Sequence, residues 1–548
     1  MGRRPNQPPR KNTSENQRVG AGRGKLPAGS PPRPSKLIHQ PDVRIDQAQQ
    51  AWAARRFDEA IRLYESALAR NPHNPVLLVD VARAYALRYR AADAERLIEL
   101  AERLHPADAY LQQMLGRSYV QLQQFDRAIA CFERALSLAP DSPELPQILL
   151  ELARMHERLH NLADARRCAE QALAAAPQVE RARWQLAMID RRLGDVAAAE
   201  ATWQSIIDAN LAAPIVISDC WYELAAVRDK QQRYDEAHDS LGNAKSILTR
   251  AAAPQREDAA TIAAVGGRSV AALTADHTER WAEQQSQLAP LPGRLALLTS
   301  HPRSGTTLLE QVLDSHHAVT SADELQVMSE MVYEPLGQFA QSGESVVATL
   351  DRLTPALLDP LRNSYWSSME GALRHPLAGQ LLLDKNPELT MLLPLVARAL
   401  PEMRIIFALR DPRDVVLSCY MQRLPLNAVS VHYLTLETTA EKYARTMRAW
   451  LKLREIIKNP WLEVRYEETV ADLPGQVRRV LEFLDVPWDD AVLDYRRRAE
   501  QKHVHSPTYE AVTKPVYATS IGRWRNYERQ LEPCQKILQP YVKAFGYE

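Results

Sequence analysis

Cysteine is scarce: the 548 residues hold five, at positions 131, 168, 220, 419 and 534, with no CxxC pair among them. That scatter excludes a disulfide framework and a zinc site built on paired spacing, and it fits a reducing compartment. Net charge is missing too. Lys+Arg and Asp+Glu both number 68, for a formal net charge of +0, which argues against nucleic acid as a bulk partner. No uninterrupted apolar run reaches the roughly 18 residues that a membrane helix needs. The basic start MGRRPNQPPRK has no apolar segment behind it of the kind a secretory signal carries. Asn6 stands where a myristoylation motif needs Ser or Thr. Together these absences predict a cytoplasmic protein without membrane insertion, opening with a disordered Pro/Arg-rich tail over residues 1–40.

What is present first is repetition. Ala60, Tyr64, Ala67 and Pro72 recur 34 positions on as Ala94, Ile98, Ala101 and Pro106, and after the same interval as Ala128, Phe132, Ala135 and Pro140. Looser copies follow at Ala165, Ala169, Ala172 and Pro177, at Ala199, Trp203 and Ile206, and at Ala237, Leu241 and Ala244. Positions i, i+4 and i+7 share one helical face. Alanine there lets neighbouring helices approach closely, the large residue fills the gap, and the proline marks the helix end. The pattern resembles the tetratricopeptide repeat. The resemblance implies an α-solenoid over residues 44–250, about six repeats long, whose groove is suited to a peptide or protein partner. Residues 251–291 read as a partly helical connection.

From residue 292 the character changes. The apolar run Arg294–Thr299 suits a buried parallel strand. It leads into Ser300-His-Pro-Arg-Ser-Gly-Thr-Thr307, and then into a helical face of Leu308, Leu309, Val312 and Leu313. Strand, tight polar loop and helix is the setting of a phosphate loop. Gly305 lets the backbone approach an anion, free N–H groups open the helix, Thr306 and Thr307 add hydroxyls, and Arg303 supplies a planar fork. The loop lacks the Walker A lysine and spacing, which removes the usual reason to invoke magnesium or NTP hydrolysis.

A second strand-to-helix junction follows, Arg404–Leu409 running into Arg410-Asp-Pro-Arg-Asp-Val-Val-Leu-Ser418. With the PRSGTT loop, this pair of motifs resembles the sulfotransferase family, whose donor is 3′-phosphoadenosine 5′-phosphosulfate (PAPS). The resemblance spans about residues 292–535 and is closest to the tyrosylprotein sulfotransferases. It implies a three-layer α/β, P-loop-like domain with a parallel sheet over residues 292–548. Arg303, Ser304, Gly305, Thr306 and Thr307 would hold the 5′-phosphosulfate, and Arg410 with Ser418 the 3′-phosphate.

The same resemblance assigns chemistry. Glu324, second acid of the pair Asp323-Glu324 and twenty-one positions after Arg303, would be the catalytic base. The bland alternative there is a helix cap opened by Ser321, and a histidine base at His316 or His317 is a further reading. Lys385, at the end of the run Leu381–Lys385, would steady the bridging oxygen. Tyr466 and Lys514 would complete nucleotide binding, Ser506 or Thr508 would assist catalysis, and Trp524 reads as core. The implied function is PAPS-dependent sulfuryl transfer to a hydroxyl, first a protein tyrosine, with a glycan or small hydroxyl compound as the alternative. An inactive repeat-based adaptor would have lost one of Arg303, Arg410, Lys385 or Glu324. PAP is the implied product, no metal or nucleic acid is called for, and a homodimer is compatible with the reading.

Overall fold

The computed structural model describes residues 42–341, 343–496 and 518–548. The basic tail and Lys514, Ser506 and Thr508 lie outside the described residues.

Between Val43 and Thr249 twelve helices form six successive pairs. The repeating alanines sit at the closest approaches: Ala60, Ala94, Ala128, Ala165, Ala199 and Ala237 all have zero exposure. Tyr64, Ile98, Phe132, Trp203 and Leu241 are buried beside them. One device of the repeat was not read from the sequence. The first helix of each pair ends in a residue with left-handed backbone, at Arg55, Tyr89, Gln123, His160, Gly194 and Gln232, with φ from 60° to 101°. This ending satisfies a terminal carbonyl and reverses the chain, but only position 194 carries the glycine that would announce it. Gly116 serves close packing instead: a Cβ there would lie 2.9 Å from the buried Phe132 ring. Gly116→Val is expected to lower stability by about 1–3 kcal/mol, the usual cost of overpacking, read by urea unfolding of the full chain.

The connection consists of the helices Ala253–Ala272 and Ala275–Glu283 with a short 3-10 turn at Gln285–Gln287. Five strands follow: β1 (Arg294–Thr299), β2 (Val319–Asp323), β3 (Leu381–Lys385), β4 (Arg404–Leu409) and β5 (Trp461–Arg465). Every neighbouring pair is parallel, in the order β2-β3-β1-β4-β5. Alternate β1 side chains feed two separate cores. Ala296 and Leu298 pack under the helices Thr306–Asp314 and Leu473–Phe483, while Leu295 and Leu297 join the larger core under Pro355–Leu373 and Leu436–Leu453. This gives three layers, with the sheet in the middle. The helix-cap reading of Ser321 is corrected here. Residues 319–323 form an edge strand whose Thr320 pairs with Leu382, because β3 offers an open parallel edge that a cap would leave unpaired.

The solenoid docks on this domain through apolar contact, with Tyr222, Ala225, Leu241 and Ala244 joining the larger core, and through buried charge. Buried Asp219 accepts from Arg423 Nε at 2.6 Å and Nη2 at 2.8 Å, and from Arg181 at 2.6 Å. Lys245, buried in the last helix pair, donates to the Tyr433 carbonyl at 2.6 Å. Burial pushes its pKa down to about 7. A carboxylate bound by two guanidiniums and a lysine with a carbonyl partner are how charges tolerate such a seam.

Candidate active site

The strand order decides where the phosphate loops meet. The chain leaves β1 toward β2 on one side of the sheet and leaves β4 toward β5 on the other. The loops after β1 and β4 therefore diverge above two adjacent strands and open a crevice at their carboxyl ends. This is where open α/β sheets bind ligands. The crevice is a cavity of ≈780 Å³.

The first loop reaches it through unusual backbone. Arg303 has φ +73° and Gly305 φ +93°. Gly305 is also the N-cap of the helix Thr306–Asp314, and a Cβ there would lie 2.5 Å from the Tyr466 ring. Glycine is thus required twice, by conformation and by the aromatic ring laid against it. Arg303, Gly305, Thr306 and Thr307 line the cavity. Ser304 is buried and does not. Just before the loop, His301 is fully buried, and burial pushes its pKa down to about 3. It is a neutral prop for the loop.

The second loop interlocks with the first. Asp411 caps the helix Pro412–Tyr420 by accepting from the Arg413 N–H. Arg410 Nη1 donates to the Arg303 carbonyl at 3.1 Å, and Arg303 Nε donates to Ser418 Oγ at 3.0 Å. Arg410 also lies over the Tyr466 ring, 4.9 Å from its centroid. Motifs more than a hundred residues apart therefore share one polar cluster, in which Ser418 accepts from Arg303 of the other motif. Arg410, Ser418 and Tyr466 all line the cavity.

The acidic pair closes a third side. β2 ends at Asp323, and Glu324 turns with φ +54° while its N–H donates to the Lys385 carbonyl at 2.8 Å. Such backbone in a residue other than glycine costs about 1–3 kcal/mol and collects at functional sites. Glu324 lines the cavity with a 40% exposed side chain. Lys385 does not line it. Its ammonium, with zero exposure, donates to Glu324 Oε1 at 2.9 Å and also contacts Asp323. Burial works against that charge, yet the two carboxylates outweigh it and hold the lysine pKa above its ordinary range.

The histidine alternatives lie elsewhere. His316 Nδ1 accepts from the Ala318 N–H at 3.0 Å, which leaves Nε2–H to donate to the Pro487 carbonyl at 2.8 Å. Exposed His317 pairs with Asp489 at 2.6 Å. These three residues gather closely enough to suggest a metal cluster, but both ring nitrogens of His316 are already engaged with backbone. Neither histidine lines the cavity. Trp524 packs between Arg413 and Arg525, whose guanidinium carbons lie 3.9 and 5.0 Å from its ring centroid, and it too stays off the cavity wall.

Two contributions escaped the sequence reading. Ser520, Arg523 and Asn526, from the segment after residue 517, line the cavity. So do Tyr222, Asp229, Lys230 and Tyr234 of the last solenoid pair. Nothing in the repeat pattern marked the second.

Residues 296–490 match the model described as the sulfotransferase family, and residues 51–118, 107–178 and 150–214 each match a tetratricopeptide-repeat model. An uncharacterized protein of Aquifex aeolicus is 26% identical over 253 residues, 44% of this chain and 32% of its own length. The protein-tyrosine sulfotransferase of Drosophila melanogaster is 24% identical over 266 residues, 45% of this chain and 50% of its own. The chain thus spans about a third to a half of the length of these curated relatives. The solved sulfotransferase domain from the Synechococcus PCC 7002 olefin synthase is 22% identical, over 47% of this chain and 97% of that one, with a TM-score of 0.35.

Proposed function

We propose, from the premise that this chain is a tetratricopeptide-repeat member of the sulfotransferase family, that it transfers a sulfuryl group from PAPS to an acceptor hydroxyl, a protein tyrosine first. One observation carries the reading: Arg303 and Arg410, from separate motifs, meet at the switch point of the sheet over the cavity that Glu324 also lines.

The loop N–H groups after Gly305 and the hydroxyls of Thr306 and Thr307 suit a 5′-phosphosulfate. Arg303 supplies a charge-assisted fork there. Arg410 and Ser418 are suited to the 3′-phosphate, and the Tyr466 ring to the adenosine side. Bound PAPS supplies the sulfuryl group, whose bond to the bridging oxygen breaks as the bond to the acceptor oxygen forms. Glu324 takes the acceptor proton as general base. Lys385 acts through Glu324, holding that carboxylate fixed in direction. Positioning and electrostatics carry most of the acceleration in such a displacement. Protein partnership is supported by the repeats, and a solenoid beside the cavity favours a peptide acceptor. Among the described residues no helix is long and apolar enough to cross a membrane.

Incubating the purified chain with labelled PAPS, a tyrosine peptide and an oligosaccharide tests this. Label is expected on the peptide. Label on the oligosaccharide alone reassigns the acceptor, and PAP binding without transfer to any hydroxyl overturns the catalytic reading.

A further inference from the structure

Asp229 belongs to the solenoid, near the end of the helix Pro214–Lys230, yet it stands in the wall of the cavity. It is not idle there. Arg523 Nη2 donates to its Oδ2 at 2.5 Å, and the Tyr527 hydroxyl donates to its Oδ1 at 2.7 Å. The segment carrying those two residues is tied to the catalytic domain on its other side. The N–H groups of Gly522 and Trp524 donate to buried Asp414 at 2.7 and 2.8 Å. Arg410 Nη2 donates to the Ser520 carbonyl at 2.5 Å, and the Tyr466 hydroxyl meets Ser520 Oγ at 2.9 Å. Residues 520–527 are therefore strung between one carboxylate of the solenoid and one of the domain, and they present Arg523 to the same cavity as Arg410.

A guanidinium has five N–H donors in a rigid plane, so a carboxylate that fixes one edge aims the others. Arg523 is about one-third exposed and Asp229 half as much. The carboxylate is the more buried partner, as expected of a group that orients the other.

We propose that Arg523 is a further cation for the anionic nucleotide, and that Asp229 is its positioning residue, so that the donor site is assembled by both domains. This rests on the reading of the cavity as a PAPS site. Through linkage the nucleotide then tightens the docking of the solenoid by the same factor that docking tightens the nucleotide. A partner on the repeats that disturbs the last helix pair weakens donor binding without touching it.

Calorimetric titration of PAP into the full chain tests this with four proteins: wild type, Asp229→Asn, Arg523→Gln and the double variant. Each single change is expected to weaken PAP by about 10-fold, the scale of one charge-assisted hydrogen bond. The double variant is expected to bind no more weakly than Arg523→Gln, because Asp229 acts only through that arginine. Asp235→Asn, which removes an exposed pairing with Arg529 and Gln530 on the same seam, is expected to bind as wild type does. Wild-type affinity in Asp229→Asn or in Arg523→Gln overturns the proposal. So do losses that add in the double variant, since a merely structural role would give them. Arg523→Gln alters a partly exposed side chain and decides the matter even where Asp229→Asn does not fold. A wild-type chain without affinity for PAP overturns the functional reading itself.

Discussion

Glu324→Gln is expected to lower turnover by about 10²–10⁴-fold, the range for loss of a general base, while PAP affinity changes by less than about twofold. The amide keeps an oxygen for Lys385 and keeps the side-chain volume, so the turn at the end of β2 survives. What it loses is the site that accepts a proton. The position is built for a fixed carboxylate. Its backbone is held in left-handed geometry at the sheet edge, and its N–H and side chain both answer to Lys385. Single-turnover kinetics beside calorimetry separates the two effects. Unchanged turnover would move the base to another group on the cavity wall.

The second large effect is on donor binding. Arg410→Ala is expected to weaken PAP by about 10²–10⁴-fold, because the arginine would serve the ligand directly and also holds the site in shape. Hydrogen bonds to charged groups contribute about 1.5–3 kcal/mol each, and a phosphate accepting two of them accounts for that range. The shape term is visible in the structure. Arg410 ties down the Arg303 carbonyl, where the loop has left-handed backbone, and the Ser520 carbonyl in the segment that presents Arg523. Arg410→Lys is expected to recover part of the loss, since a point charge remains but the fork does not. Titration of PAP reads both variants, and full affinity in Arg410→Ala would place the nucleotide elsewhere.

Much of this chain could be read before any coordinates. The repeat was legible because close helix packing accepts only small side chains at fixed intervals, and Ala60, Ala94 and Ala128 stand where that demand falls. The apolar runs of β1, β3 and β4 were legible because strands buried on both faces are hydrophobic throughout. β2 was not. Val-Thr-Ser-Ala-Asp is short and half polar, and only the open edge of β3 makes it a strand. The left-handed helix ends at Arg55, Tyr89, Gln123, His160 and Gln232 were hidden for a related reason. Tertiary packing imposes that backbone on ordinary residues, so no glycine announces it.

Among the site residues, the sequence alone made the strand-loop-helix junctions at Arg303 and Arg410 legible, since these are local features set by local spacing. Only the tertiary structure decided that the two junctions touch, that Lys385 stays buried behind Glu324, and that a solenoid carboxylate pairs with Arg523. Those facts follow from strand order and domain docking. Both are long-range outcomes of how apolar faces pack, and no spacing within one segment encodes them.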